Sequence, residues 1–122
     1  MNAERKMVAI VDDDEAARDA LQFLLNVLGR HPRSFASAAD FLESEIDTFA
    51  CLILDQQMPS MTGLELARRL RSEGKPIPIM LISGDLTPDV VERARQEGID
   101  VVSEKPPELL ALSTFIDQAG GG

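Results

Sequence analysis

The sequence has no tryptophan and no tyrosine, and it contains only five phenylalanines. Aliphatic side chains must therefore form most of any core, and a hydrophobic content of 44% is enough for one. The single cysteine, Cys51, excludes an internal disulfide, and its position inside an apolar run indicates a buried thiol. No apolar run approaches the roughly 18 residues that a transmembrane helix needs. Residues 1–6 are polar and give no signal-peptide pattern, so we expect a cytosolic protein.

Basic residues are also scarce, with 12 Lys and Arg against 21 Asp and Glu, for a net charge of −9. Because nucleic-acid binding depends on basic patches that neutralise phosphates, this composition argues against direct binding of DNA or RNA. The one cluster of cations, Arg68, Arg69 and Arg71, is expected to form a solvated helix face. Most of the acidity serves solubility. Several acids, however, directly follow apolar runs, and their positions suggest a more specific role.

The chain of 122 residues has the size of a single domain. We expect one domain over residues 1–122, with a structured core from about residue 6 to about residue 118. The three glycines at residues 120–122 are expected to form a flexible tail.

Short apolar runs alternate with longer amphipathic segments along the chain. The apolar runs predict strands at residues 8–11, 33–35, 51–54, 79–82 and 99–102. Cap residues and apolar spacings of three and four predict helices that begin after Asp14, Ser37, Thr62, Thr87 and Pro107. This alternation predicts an α/β fold with a parallel sheet covered on both faces. The strands agree, because parallel strands buried on both sides are continuously apolar.

Polar residues follow four of the predicted strands, at or near their carboxyl ends. They are Asp12 and Asp13 after the first strand, Asp55 after the third, Ser83 after the fourth and Lys105 shortly after the fifth. Since ligands bind at the carboxyl ends of strands in doubly wound sheets, we expect these side chains to lie together. Three clustered carboxylates repel one another unless a cation joins them, and Mg²⁺ prefers oxygen ligands. Mg²⁺ beside a lysine and a hydroxyl is suited to phosphoryl transfer, for which an aspartate can be the covalent acceptor.

Each of these residues also has a simpler explanation. Asp12 and Asp13 are compatible with helix capping, and Ser83 with a turn at a strand end. Lys105 in a tight loop facing acids is compatible with a structural salt bridge. Asp55 directly follows four apolar residues, which favours a functional role over that of a solvated loop acid.

Five segments, taken together and in order, resemble the receiver domains of two-component response regulators, the CheY-like superfamily. They are VAIVDDDE (8–15), LILDQQMP (52–59), TGLEL (62–66), ISG (82–84) and EKP (104–106). The similarity extends from about residue 8 to about residue 118, and residues 34–38 with Phe41 and Leu42 also resemble the FixJ-like group. The resemblance implies a doubly wound, flavodoxin-like (β/α)₅ fold with strand order 2-1-3-4-5.

The resemblance also implies roles for individual residues. Asp55 would be the phosphoacceptor, and Lys105 would bind a phosphoryl oxygen. The implied Mg²⁺ ligands are Asp12, Asp13, Asp55 and the backbone carbonyl of Gln57. The implied switch residues are Ser83, which would move toward the phosphoryl group, Gly84, which stands where alanine is more frequent, and Val102, which stands where an aromatic residue is usual. The usual coupling has two parts, a hydroxyl residue that moves and an aromatic ring that turns inward behind it. Because Val102 has no ring, the second part is not carried over to this chain.

The implied phosphoryl donor is a sensor histidine kinase or a phosphotransfer protein. A downstream protein or output domain would read the surface of the fourth helix, fifth strand and fifth helix, and a phosphorylation-dependent homodimer is a further partner to test. No membrane partner is expected. The chain is not expected to be an enzyme, apart from promoting its own phosphorylation and dephosphorylation.

Three alternatives remain open at this point. The chain would be the N-terminal receiver of a FixJ-like DNA-binding transcriptional regulator, or a receiver-shaped binding module that works without phosphorylation. The third is an aspartate phosphatase of the haloacid-dehalogenase type, which the Asp12-x-Asp14 spacing allows. Ala16 stands where that class has threonine or valine, and the chain is too short for its cap domain.

Overall fold

The structure, a computed structural model, describes residues 7–119. Its strands are β1 (Met7–Val11), β2 (Pro32–Phe35), β3 (Phe49–Asp55), β4 (Ile79–Ser83) and β5 (Val101–Glu104). Its helices are α1 (Glu15–Val27), α2 (Ala38–Leu42), α3 (Gly63–Ser72), α4 (Pro88–Gln96) and α5 (Leu109–Ala119), with a 3₁₀ turn at Ile46–Thr48. The predicted glycine tail lies outside the described residues. Within residues 7–119, no helix is both long and apolar enough to cross a membrane.

All five strands are parallel and lie in the order β2-β1-β3-β4-β5, which confirms the implied fold and strand order. Successive side chains of a strand point to opposite faces of the sheet, so each inner strand contributes to two cores. One core packs Val8, Ile10, Cys51, Ile53, Met80 and Ile82 against α1 and α5. The other packs Ala9, Val11, Leu52, Leu54, Ile79 and Leu81 against α2, α3 and α4. Helices on both faces therefore leave the carboxyl edge of the sheet free for a site.

The four N-cap residues predicted from the sequence all cap helices. The side chains of Asp14, Ser37, Thr62 and Thr87 each accept a hydrogen bond from a backbone N–H in the first turn of α1, α2, α3 and α4. Such bonds satisfy N–H groups that have no partner within the helix. Thr62 and Glu65 form a complete capping box, because the Glu65 carboxylate also accepts from the Thr62 N–H.

The fifth strand begins two residues later than predicted. The structure places it at Val101–Glu104 rather than at residues 99–102. Gly98, with φ at 72°, reverses the chain after α4. Asp100 then lies at a bend, where its side chain accepts from the Ile79 N–H at 2.9 Å and its own N–H donates to the Ile79 carbonyl at 3.1 Å. These contacts with the first residue of β4, which are not visible in the local apolar pattern, precede the strand.

The prediction of a solvated arginine face is wrong for Arg71, although Arg68 and Arg69 are exposed. The guanidinium of Arg71 is a rigid fork of five donors that suits a cluster of carbonyls at a helix end. It donates to the backbone carbonyls of Lys75, Ile77, Gly98 and Glu97 at 2.8, 2.9, 3.0 and 3.3 Å. Arg71 thus joins the end of α3 to the loop after α4.

Candidate functional site

The carboxyl ends of β1, β3, β4 and β5 bring the five predicted site residues to one edge of the sheet. Asp12, Asp13 and Asp55 each offer one carboxylate oxygen, and these three oxygens all lie within 4.8 Å of one another. Asp12 and Asp55 are buried, with exposed fractions of 0% and 2%, whereas Asp13 is exposed. The structure therefore confirms the predicted convergence. Capping alone does not explain two buried carboxylates at this edge, because Asp14 already caps α1.

Lys105 reaches into this cluster from the loop after β5. Its Nζ atom lies 2.8 Å from Asp12 Oδ2 and 3.5 Å from Asp55 Oδ1. Its backbone N–H donates to the Ser83 carbonyl at 3.0 Å, which ties the lysine to the end of β4. The ammonium forms ion pairs with both carboxylates. Asp12 Oδ2 and Asp55 Oδ1 are both buried, and neither accepts a well-aligned hydrogen bond.

The cluster therefore has more negative charge than its own lysine balances. Three carboxylates face one ammonium, so two negative charges remain uncompensated when all four groups are ionised. Buried charges are normally paired or bound to a metal. The donor set of carboxylate oxygens, including the buried Asp12 Oδ2 and Asp55 Oδ1, fits a hard divalent cation such as Mg²⁺.

The pKa of Asp55 reflects this excess of negative charge. Burial of the carboxyl group and the neighbouring charge of Asp12 raise its pKa from 3.8 to about 6, and the Lys105 charge and the Gln57 backbone N–H oppose the rise only in part. Burial acts to lower the pKa of Lys105, but Asp12 and Asp55 outweigh it and raise that pKa above its ordinary value. At neutral pH without metal, the negative charge of Asp55 is thus unfavourable in the folded protein.

We expect the metal-free protein to become more stable, relative to Asp55→Asn, as the pH is lowered. The pKa of the Asp55 carboxyl group is about 6 in the folded protein and near 3.8 in the unfolded chain. Between these two pH values the folded protein binds a proton that the unfolded chain does not bind. The ionised Asp55 therefore lowers the free energy of unfolding above pH 6, and this effect disappears as the pH falls towards 4. Relative to Asp55→Asn, the free energy of unfolding should rise by about 2 kcal/mol over this range. Urea unfolding of both proteins in EDTA, at several pH values from 7 to 4, measures it. A difference between the two that does not vary with pH would contradict the raised pKa.

Asp12 is oriented by backbone contacts that the sequence did not reveal. Its Oδ1 atom accepts from the Asp14 N–H at 2.9 Å, and Arg18 Nη1 donates to its backbone carbonyl at 2.8 Å. With Oδ1 held by the first turn of α1, Oδ2 faces Lys105. Arg18 lies one turn after the Asp14 cap, and that spacing is the only sequence signal that could have indicated its role.

The loop that follows Asp55 is held against the start of α3 by two residues that the sequence analysis gave no role. The Gln56 carbonyl accepts from the Gly63 N–H at 3.1 Å, and its side-chain Oε1 accepts from the Leu64 N–H at 2.8 Å. Gly63 allows this close approach, because a Cβ atom there would lie 2.6 Å from the Asp55 carbonyl oxygen and 2.7 Å from a Leu81 methyl carbon. These contacts position the backbone of Asp55 from the side of α3.

The predicted switch residues lie at the end of β4 (Ser83), in the loop that follows it (Gly84) and in the neighbouring strand β5 (Val102). Ser83 is buried, and its Oγ atom accepts from the Asp85 N–H at 3.1 Å. The Gly84 N–H donates to the side-chain Oε1 of Gln57 at 3.2 Å. Val102 is half-buried and packs against the core that contains α3 and α4. The Ser83 hydroxyl is therefore engaged within its own loop, and Gln57 contacts that loop through its side chain.

Residues 8–117 match the family model of the response regulator receiver domain. The chain belongs to the receiver-domain family. FixJ, a transcriptional regulatory protein of Bradyrhizobium diazoefficiens, is 34% identical over 114 residues, which cover 92% of this chain and 55% of the relative. The response regulator TmoT of Ectopseudomonas mendocina is 43% identical over 86 residues, which cover 69% of this chain and 39% of TmoT. The chain thus spans about half or less of the length of these two relatives.

Solved structures agree with the family assignment. The crystal structure of FixJ-N is 31% identical and superposes with a TM-score of 0.86, over 98% of this receiver domain and 96% of that chain. The response regulator StyR is 35% identical with a TM-score of 0.79, over 95% of this chain and 60% of StyR. The resemblance to receivers, including the FixJ-like group, is therefore confirmed.

Family membership defines the general role of the chain. It is a signalling module of two-component systems, related to FixJ and TodT. Receiver domains bind Mg²⁺ at an acidic pocket, and they interact with histidine kinases or phosphotransfer proteins and with output domains. The acidic cluster of Asp12, Asp13 and Asp55 corresponds to such a pocket. The family model that matches this chain is that of a receiver domain and not that of an aspartate phosphatase.

Proposed function

We propose that this receiver accepts a phosphoryl group on the Asp55 carboxylate from a sensor histidine kinase or a phosphotransfer protein. The observation that carries the proposal is the position of Asp55, which is buried at the carboxyl edge of the sheet. Its carboxylate lies within 4.8 Å of carboxylate oxygens of Asp12 and Asp13, and its Oδ1 atom lies 3.5 Å from Lys105 Nζ. A cation beside the attacking carboxylate can stabilise the negative charge of the phosphoryl oxygens during transfer.

The proposed metal ligands are Asp12, Asp13, Asp55 and the backbone carbonyl of Gln57. When bound, Mg²⁺ supplies positive charge to the oxygens of the phosphoryl group during transfer. Asp12 and Asp13 supply the negative charge that holds the cation beside Asp55. The raised pKa of Asp55 describes the metal-free protein, and a bound cation would favour the ionised carboxylate that is needed for attack.

In the transfer step, an Asp55 oxygen forms a bond to phosphorus while the bond from phosphorus to the donor's histidine nitrogen breaks. The electron pair of that bond leaves with the imidazole, and an acyl phosphate is formed. Lys105, already paired with Asp55, would pair with a phosphoryl oxygen instead. Its raised pKa keeps it charged throughout the neutral range, as this role requires.

The output of the phosphorylated state is proposed to pass through Ser83. Its hydroxyl would leave the Asp85 N–H and turn to the phosphoryl group, and the loop from Gly84 to α4 would shift with it. Phosphorylation then biases a population between two arrangements of the α4-β5-α5 surface, which a downstream protein, an output domain or a second copy of the chain would read. Val102, being small and already packed, would change little.

We further propose that residues 1–122 act as a single receiver domain of a FixJ-like transcriptional regulator in the cytoplasm. The similarity to FixJ covers most of this chain but only 55% of FixJ. DNA binding would then be a property of the remaining part, since the net charge of −9 does not suit this domain for it. Apart from promoting its own phosphorylation and dephosphorylation, the domain would have no enzymatic activity.

The test is intact-mass measurement after incubation with acetyl phosphate and Mg²⁺. We expect the wild-type protein to gain one phosphoryl group, and Asp55→Asn to gain none, because the amide lacks a nucleophilic carboxylate oxygen. Wild type in EDTA serves as the metal control and should gain much less. Equal uptake by Asp55→Asn would show that the acceptor lies elsewhere.

The same experiment distinguishes the proposed phosphoacceptor from the remaining alternative. A binding module that works without phosphorylation would show no mass increase and would not bind beryllofluoride, a mimic of the phosphoryl group. Either positive result would exclude that alternative.

A further inference from the structure

Two adjacent glutamines connect the loop after Asp55 to two different parts of the protein. The Gln56 side chain accepts a hydrogen bond from Leu64 at the start of α3, whereas the Gln57 side chain accepts one from Gly84 in the loop after β4. The second bond joins residues that are 27 positions apart in sequence. It directly connects the loop after Asp55 to the loop that follows Ser83.

We propose that the Gln57 side chain is a positioning residue that latches the β4–α4 loop in the arrangement seen here. In this arrangement the Ser83 hydroxyl accepts from Asp85, and the adjacent Gly84 N–H is occupied by Gln57. The inference rests on the proposed function, because the latch opposes the turn of Ser83 toward a phosphorylated Asp55. Breaking the latch would make the phosphorylated arrangement easier to reach.

The surroundings of the loop explain why one hydrogen bond has an effect there. Gly84 has no side chain to pack, and the helix that follows, α4, buries a single residue, Ala94. At its other end, by contrast, α4 is joined to α3 through the contacts of Arg71 with the Glu97 and Gly98 carbonyls. At the beginning of α4, Val90 packs against the core, but the exposed loop before it is joined to the acceptor loop through the Gln57–Gly84 bond.

The Gln57–Gly84 bond also links the loop after Asp55 directly to the β4–α4 loop. The backbone of Gln57 is the proposed metal ligand, and its side chain holds Gly84. A rearrangement of the acceptor loop on phosphorylation would therefore act on the β4–α4 loop without an intermediate residue. Such a route is of particular use in this chain, where Val102 takes the place of a switching aromatic residue.

The test replaces Gln57 by leucine, which keeps the size of the side chain and removes the acceptor. We expect the exchange of the Gly84 amide proton with solvent, measured by NMR in metal-free protein, to become about threefold to tenfold faster, the range for one hydrogen bond between neutral groups. The dissociation constant for beryllofluoride with Mg²⁺ should fall by a similar factor. Gln57→Glu retains an acceptor oxygen and should restore the slow exchange of Gly84.

Gln56→Leu is the matched control, since it makes the same change one residue earlier but breaks the contact with Leu64 instead. It should leave Gly84 exchange unchanged. Unchanged exchange in Gln57→Leu, or faster exchange without tighter beryllofluoride binding, would each overturn the latch. If wild type binds no beryllofluoride at all, the proposed function fails, while Gly84 exchange still reports whether Gln57 holds the loop.

Discussion

Replacing Lys105 by methionine is expected to lower the free energy of unfolding by about 2 kcal/mol in metal-free buffer at pH 7, because two buried carboxylates lose their counterion. The loss is smaller than for a fully buried pair, since the Lys105 side chain is 25% exposed. Asp12 is fully buried and lies 2.8 Å from the Lys105 ammonium. The raised pKa of Lys105 means that its stabilising charge is fully present below its ordinary pKa of 10.5 and is lost only at higher pH. Urea unfolding in EDTA measures the effect.

Lys75→Met is the matched control for this prediction. Lys75 pairs with the exposed carboxylate of Asp47 at 3.2 Å, and such surface pairs contribute about 1 kcal/mol or less. A similar loss in the two variants would show that the Lys105 ion pair has no special importance. At pH 5 the deficit of Lys105→Met should shrink, since the Asp55 carboxyl group, whose pKa is about 6, can then take up a proton.

Mg²⁺ should stabilise Lys105→Met more than wild type, because the metal would become the only counterion of the three carboxylates. In wild type, Mg²⁺ at ten times its dissociation constant should add about 1.4 kcal/mol. The same variant should be phosphorylated by acetyl phosphate about a hundredfold more slowly, the scale for loss of one group that stabilises a developing charge. If Mg²⁺ stabilises neither protein, the proposed metal site is wrong.

Gly63→Ala is expected to destabilise the protein by about 3 kcal/mol, at the upper end of the range for overpacking in a tight interior. The added Cβ would lie 2.6 Å from the Asp55 carbonyl oxygen and 2.7 Å from Leu81 Cδ1, and real contacts are never so close. Alanine otherwise favours helices over glycine, so a loss of stability here must come from the steric conflict. Because the Asp55 backbone has to move, phosphorylation should also slow.

Gly84→Ala is the control for Gly63→Ala. A Cβ atom at Gly84 would meet only the Gln57 Oε1 atom, at the ordinary contact distance of 3.4 Å. We expect it to change the free energy of unfolding by less than about 0.5 kcal/mol, as surface substitutions usually do. Thermal and urea unfolding of the two variants should therefore differ clearly. Similar stabilities would mean that the loop after Asp55 can adjust around a methyl group.

Much of the fold could be predicted from the sequence because its signals are local. The apolar runs of β1, β3 and β4 and the caps at Asp14, Ser37, Thr62 and Thr87 depend on neighbouring residues only. The predicted limits of β5 were wrong because the Asp100 side chain bonds to the Ile79 N–H, 21 positions away, at a bend before the strand. The strand order came from the family resemblance and is confirmed by the pairing of the strands.

The sequence by itself also determined which residues meet at the candidate site, since strands of a parallel sheet end at one edge and Asp12, Asp13, Asp55, Ser83 and Lys105 each follow a strand. Only the tertiary structure decided how these residues are held. The contact of Arg18 with the Asp12 carbonyl is local, but three others join segments that packing brings together. Gly63 lies against Asp55, Arg71 donates to the Glu97 and Gly98 carbonyls, and Gln57 accepts from Gly84. Their side chains follow no periodic pattern, because a hydrogen bond to a backbone group depends on where that group lies in space and not on the residue type that carries it.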